Sequence, residues 1–313
     1  MKKIALALTL ALLSGCSAMS GSGDEDPGPV NTPGAGAIKP TNGQEAQMLI
    51  AQSQTSGDID AMVYAYTQAL AFRGFDSGEL YLNIAGLERQ RNNNSRAEQA
   101  YRSALQDDPD RLEAKEGLAL LLIDMKRHYE AETLLQEVIV ADRSRLGQPP
   151  AGECITDAKS PWRSYNGLGL LADIFEQGPL AREYYHCALQ VQPGLAMLHT
   201  NLGFSYYLQG EYPQAERAML RAVNQEPEYE RAWSNLGLLY YRWGRNSEAL
   251  MALRKVMSQA EALNDLGYIA LMEGEYEAAQ SLFQRAIDAS PRYYPKAVDN
   301  LNQAKSMQSA NNR

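Results

Sequence analysis

An all-α, right-handed solenoid of stacked helical hairpins, closed by a C-terminal capping helix, is the fold this sequence predicts. Three observations carry that expectation. A Leu-Gly pair recurs at Leu168-Gly169, Leu202-Gly203, Leu236-Gly237 and Leu266-Gly267, at intervals of 34, 34 and 30 residues. In the last three copies a glycine follows seven residues on (Gly210, Gly244, Gly274) and an alanine five further (Ala215, Ala249, Ala279). Pro193, Pro227 and Pro291 close units, because proline cannot continue a helix past its first turn. Glycine and proline at this density rule out one long coiled coil. No single hairpin can bury its own apolar face, so the units must stack.

The elements follow in chain order. Met1 is followed by Lys2, Lys3 and an apolar run over residues 4–13, too short for the ~20 residues a membrane span needs. The run reads as the central segment of a secretory signal over residues 1–15 and is excluded from the fold. Leu13-Ser14-Gly15-Cys16 resembles the bacterial lipobox, in which the cysteine receives a diacylglyceryl group and becomes the first mature residue. Cys16 is therefore expected to be lipidated, the only covalent group anticipated, with no cofactor or metal. Each buried methylene contributes ~0.8 kcal/mol, and two or more chains give stable attachment. Ser17 stands where an inner-membrane retention signal shows Asp, which implies the outer membrane, facing the periplasm. Residues 16–43 are rich in Gly, Pro and Ser and read as a flexible tether with a typical span of roughly 30 Å.

The body spans residues 44–309. The 34-residue interval is the tetratricopeptide period. Seven units are expected, at 44–77 (degenerate, with Gly57 in its turn), 78–111, 112–142, 162–195, 196–229, 230–259 (shortened) and 260–293. Each is two antiparallel helices joined at a tight turn. In the 162–195 unit Glu176 occupies the turn-glycine position and Gly178 comes two residues later, so the turn is placed at Gly178. Gly169, Ala181 and Ala188 let helices approach, while Tyr165, Tyr185, Tyr206, Trp233 and Phe283 fill the space. Residues 143–161, with Pro149-Pro150, form an inserted surface loop. The 230–259 unit loses four residues, close to one helical turn. After Pro291, Ala297 and Leu301 mark the capping helix.

Hydrophobic residues make up 45% and charged residues 21%, enough for a packed core, and the net charge of −9 argues against nucleic acid as a partner. Cys154 in the insertion and Cys187 are the remaining cysteines. In an exported chain they invite a disulfide; the alternative is a small core residue and a free thiol. His128, His186 and His199 are scattered over different units without metal-ligand spacing. Enzyme activity is not expected. Binding is the default, through a strip on the first helices at Arg163, Asn166, Asn201, Phe204, Tyr207, Arg231, Asn235, Leu238, Tyr241, Arg242, Asn264 and Tyr268. These amides, aromatics and arginines are expected to be exposed on the concave face and to hold an extended or helical peptide.

The lipobox, the tether and the run "ALNDLGYIALMEGEYEAAQSLFQRAIDASPRYYPKAVDNL" after a shortened unit are similar to the TadD family of the Flp/Tad pilus machinery, over residues 160–302. That resemblance implies a pilotin-like scaffold supporting the outer-membrane secretin and other pilus-assembly components. The other readings are a type IV pilotin or an NlpI-like adaptor for peptidoglycan hydrolases, and an envelope enzyme.

Overall fold

The computed structural model describes residues 39–148 and 153–311. Cys16 and most of the tether, together with Pro149 and Pro150, lie outside the described residues. The described residues form fifteen α-helices and no strand. They fall into two compact bodies that divide after Phe175.

The first body contains α1 (Gly43–Ser56), α2 (Ile59–Ala69), α3 (Ser77–Gln90), α4 (Asn94–Asp107), α5 (Leu112–Asp124), α6 (His128–Arg145) and α7 (Trp162–Ile174). Each helix packs on the next, and α5 also packs on α7. Asn42 caps α1 by accepting from the Glu45 N–H at 2.9 Å, while Glu45 accepts from the Thr41 N–H at 2.7 Å. These bonds satisfy donors that a helix start leaves without partners. The core is alanine and leucine: Ala97, Ala104, Leu118, Leu122, Ala131 and Leu135 are all buried. Helix α6 runs into the predicted insertion, ending at Arg145. Arg145 then grips the loop by hydrogen bonds to Asp157 at 2.8 Å and to Asp142. Hydrogen bonds from Arg145 hold the Asp157 carboxyl well below the usual carboxylate range. The loop is therefore anchored to the helix that precedes it.

The second body contains α8 (Gly178–Val191), α9 (Ala196–Leu208), α10 (Tyr212–Gln225), α11 (Glu230–Arg242), α12 (Asn246–Leu253), α13 (Gln259–Met272), α14 (Tyr276–Ala289) and α15 (Pro295–Asn311). Consecutive helices pack together, and first helices pack on first helices: α9 on α11, and α11 on α13. The repeated glycine explains how they come so close. A Cβ on Gly203 would meet Met219 Cγ at 2.7 Å, one on Gly237 would meet Leu253 at 2.6 Å, and one on Gly267 would meet Phe283 at 2.8 Å. In each case the glycine of a first helix receives the side chain sixteen residues later in the second. Helix α12 has 8 residues where α10 and α14 have 14. The chain turns after Leu253 and restarts at Ser258, whose side chain forms a capping box with Glu261. Helix α15 closes the stack by burying Ala297, Leu301 and Ala304.

The turns correct one expectation. A left-handed residue sits in the turn of each pair, at Gly57, Asn92, Lys126, Glu176, Gly210, Gly244 and Gly274, with φ between 58° and 80°. Glu176 (φ 60°) itself makes the turn of its unit. Gly178 does not; it is the first residue of α8, buried against the Gln209 side chain. The turn adopts the same left-handed conformation without a glycine.

Ion pairs recur across the stack as regularly as the glycines. In the first body Arg127 bridges Glu98 at 2.6 Å and Glu130 at 2.5 Å, joining α4 to α6. In the second, Arg245 bridges Glu216 at 2.9 Å and Glu248 at 3.1 Å, joining α10 to α12. Both arginines directly follow the left-handed turn residue. Glu211 holds that same position between α8 and α10 and pairs with Arg182 at 3.3 Å, the same clasp with its charges exchanged.

Candidate functional site

The first helices α7, α9, α11 and α13 carry the twelve predicted binding residues. In the first body Arg163 is exposed, its guanidinium 4.6 Å from the Trp162 ring centroid, whereas Asn166 is buried. In the second body Arg242 is exposed, and Arg231 and Tyr268 are half-buried. Asn201, Phe204, Tyr207, Asn235, Leu238, Tyr241 and Asn264 are buried, none more than 9% exposed. The expected exposed strip is thus mostly an inter-helix seam. Helices α9, α11 and α13 pack directly on one another, so a side chain facing along the stack is covered by the next first helix.

Several of these groups already have partners. The Tyr241 hydroxyl donates to Glu275 Oε2 at 2.8 Å. Burial pushes the Tyr241 phenol above its ordinary value, and the hydrogen bond to Glu275 adds to that effect. Asn264 accepts from Asn300 Nδ2 of α15 at 3.0 Å, which ties this amide to the cap. Arg242 pairs with Glu273, whose carboxyl burial pushes up despite the guanidinium. On these helices the Tyr207 hydroxyl, Asn235 Nδ2 and Arg231 Nε are buried donors with no hydrogen-bond partner among the described residues. Burial raises the Tyr207 phenol, partly opposed by Arg242, so at neutral pH its O–H remains a donor. A buried donor without an acceptor costs ~1–3 kcal/mol. These three groups therefore leave donor capacity unused within the first-helix seam.

Two of the three histidines make packing or hydrogen-bond contacts. His199 Nε2 lies 2.8 Å from the Pro193 carbonyl, and 34 residues later the Trp233 indole N–H donates to the Pro227 carbonyl at 2.7 Å. One ring-to-carbonyl bond closes both repeats, and either ring serves. His128 sets its edge against Phe175 at 6.3 Å. His186 is exposed on α8; partial desolvation, then Arg182 and Arg221, lower its pKa. No group of three metal-ligating side chains occurs among the described residues, and none of the described helices is long and apolar enough to cross a membrane. Cys154 in the first body and Cys187 in the second are each disulfide-bonded. The charge clasps went unrecognised in the sequence, although their signal is there: opposite charges 29 residues apart at Glu98–Arg127, Arg182–Glu211 and Glu216–Arg245.

Tetratricopeptide repeat models match residues 88–146 and, by a second model of the same description, residues 200–257 and 251–294. The chain thus carries tetratricopeptide repeats over these residues, a repeat type that serves as a protein–protein interaction scaffold. Its fold is similar to that of a tetratricopeptide repeat protein from Parabacteroides merdae, with a TM-score of 0.59 at 16% identity, covering 84% of this chain and 99% of that one. It is also similar to the structure titled for Pseudomonas aeruginosa pilF, with a TM-score of 0.55 at 17% identity over 75% of this chain and 96% of that one. Among curated sequences it is 30% identical over 135 residues to the uncharacterized protein y4yS of Sinorhizobium fredii. That match covers 42% of this chain and spans 65% of the relative's length.

Proposed function

We propose that this protein is a lipid-anchored scaffold on the periplasmic side of the outer membrane, serving assembly of the Flp/Tad pilus and its secretin. It acts by holding a peptide segment of a partner rather than by catalysis. One observation carries the peptide-holding part: the buried, unpartnered donors Tyr207, Asn235 and Arg231 on adjacent first helices of a repeat class that binds proteins. The anchor rests on the lipobox at Cys16, and the assignment to the pilus rests on the resemblance of the shortened unit and the run that follows it.

The test is in vivo photocrosslinking. A benzophenone amino acid replaces Arg231 in the full-length chain, and intact envelopes are irradiated. Secretin in the crosslinked band, lost when Tyr207→Phe and Asn235→Ala are combined, is the expected result. Peptidoglycan hydrolases in that band without secretin would overturn the pilus assignment. Labelled palmitate must also appear on the chain and disappear with Cys16→Ser.

A further inference from the structure

Three junctions between successive second helices are closed by the charge clasp: Glu98–Arg127–Glu130, Arg182–Glu211 and Glu216–Arg245–Glu248. The junction between α12 and α14 lacks it. Residues 244–253 keep register with 210–219, and the four-residue deletion falls after them. The position of Glu216 is therefore held by Leu250, that of Arg245 by Glu275 and that of Glu248 by Ala278. Glu275 turns away to accept the Tyr241 hydroxyl. A cavity of about 320 Å³ opens where the clasp would lie, walled by Leu250, Leu263, Leu266, Ala278 and Leu282, with the exposed Arg285 at its edge. The Arg285 side chain has no hydrogen bond or ion pair among the described residues.

We propose that this groove is a second docking site, taking a segment of another polypeptide that presents a leucine-sized side chain beside a carboxylate. Leucine walls favour an aliphatic group, since burying apolar surface is the main source of affinity. Charge complementarity selects the neighbour. The chain carries net charge −9, so acidic segments are repelled in general, and an unpaired guanidinium at an apolar opening is a local exception that gives register and selectivity. The groove lies mainly between second helices and makes no use of Tyr207, Asn235 or Arg231. It can be filled whether or not the first-helix seam is.

Fluorescence anisotropy with two labelled hexapeptides, Gly-Asp-Leu-Leu-Asp-Gly and Gly-Lys-Leu-Leu-Lys-Gly, tests the site on the full chain. The acidic peptide is expected to bind about tenfold more tightly or better, a difference of ~1.4 kcal/mol. Arg285→Glu, an exposed change that leaves the core untouched, is expected to reverse the preference. A triple variant, Leu250→Glu with Glu275→Arg and Ala278→Glu, fills the groove with the missing clasp and is expected to weaken the acidic peptide about tenfold while the helical circular dichroism is retained. Equal affinity for both peptides, no binding of either, or an unchanged preference after Arg285→Glu would each overturn the proposal. None of these results bears on the crosslinking at Arg231.

Discussion

Three of the seven turns place a residue other than glycine in the left-handed region, and their replacement by glycine gives a graded test of the turn geometry. Lys126 (φ 62°) and Glu176 (φ 60°) are ordinary L-residues there, each carrying a penalty of roughly 1–2 kcal/mol. Substituting glycine removes that penalty but adds backbone freedom to the unfolded chain, at a cost of about 0.4–1 kcal/mol. The net expectation for Lys126→Gly and for Glu176→Gly is a gain of about 0.5–1 kcal/mol. Asn92 (φ 58°) should gain close to nothing, because asparagine tolerates this region. Gly210→Ala runs the other way and should lose about 1 kcal/mol. Gly178→Ala must be treated separately: the three atoms nearest its Cβ would all belong to the movable Gln209 side chain, and its φ is not left-handed, so no turn penalty applies. Urea denaturation followed by circular dichroism at 222 nm reads these differences as midpoint shifts at constant m. A loss of stability in Glu176→Gly, or a loss in Gly178→Ala as large as that in Gly210→Ala, would refute the assignment of the turn to Glu176.

The clasps should be interchangeable in sign: Arg182→Glu or Glu211→Arg alone costs about 0.2–1 kcal/mol, and the double exchange recovers most of it, as a double-mutant cycle in urea will measure. Adding a methyl group should divide the helical glycines by what surrounds them. Gly86→Ala, with nothing within 4 Å, gains about 0.5–1 kcal/mol. Gly203→Ala, which meets Met219 and the Ala215 carbonyl, loses about 1–3 kcal/mol in the same assay. Acid should loosen the clasps. Hydrogen bonds from Arg102 lower the Glu130 carboxyl, its own backbone N–H and then Arg245 lower Glu248, and hydrogen bonds from Arg102 and Arg127 outweigh burial at Glu98. Folded values below the unfolded 4.5 mean that their stabilisation is complete above that pH and is lost as pH falls below it. The urea midpoint should therefore decline from pH 5 to pH 3, and Arg127→Gln should flatten the decline.

Helix positions and partners were legible because periodicity reports them directly. The Leu-Gly pairs, the alanines at Ala181, Ala215, Ala249 and Ala279, and the four-residue deletion all lie where the helices require them. What was misread depended on things one residue type cannot report. Gly178 drew the turn toward itself because glycine is the usual left-handed residue, yet a turn fixed by the helices on both sides can hold Glu176 there at modest cost. Asn201, Phe204 and Tyr241 share a face by spacing, but spacing does not say that the next first helix covers that face. The clasps escaped because charge pairs are sought at i, i+4 within a helix, and these bridge 29 residues between helices.

The two sets of helices carry unequal burdens, and that inequality explains where a groove could open. First helices are locked by buried side chains such as Met219 and Phe283 seated on glycines; truncating a phenylalanine of this kind to alanine costs about 3–5 kcal/mol. A clasp between second helices is a partly exposed ion pair, worth ~0.2–1 kcal/mol. Losing a clasp therefore costs the stack little, while a change at the glycine seam threatens the fold. The shortened repeat follows this division. It keeps Gly237 against Leu253, the next repeat starts on the Ser258–Glu261 capping box and keeps Gly267 against Phe283, and only the clasp between the two is missing, with Leu250 and Ala278 where its glutamates would stand. An apolar recess with a free arginine beside it is thus available at the junction where it costs the stack least.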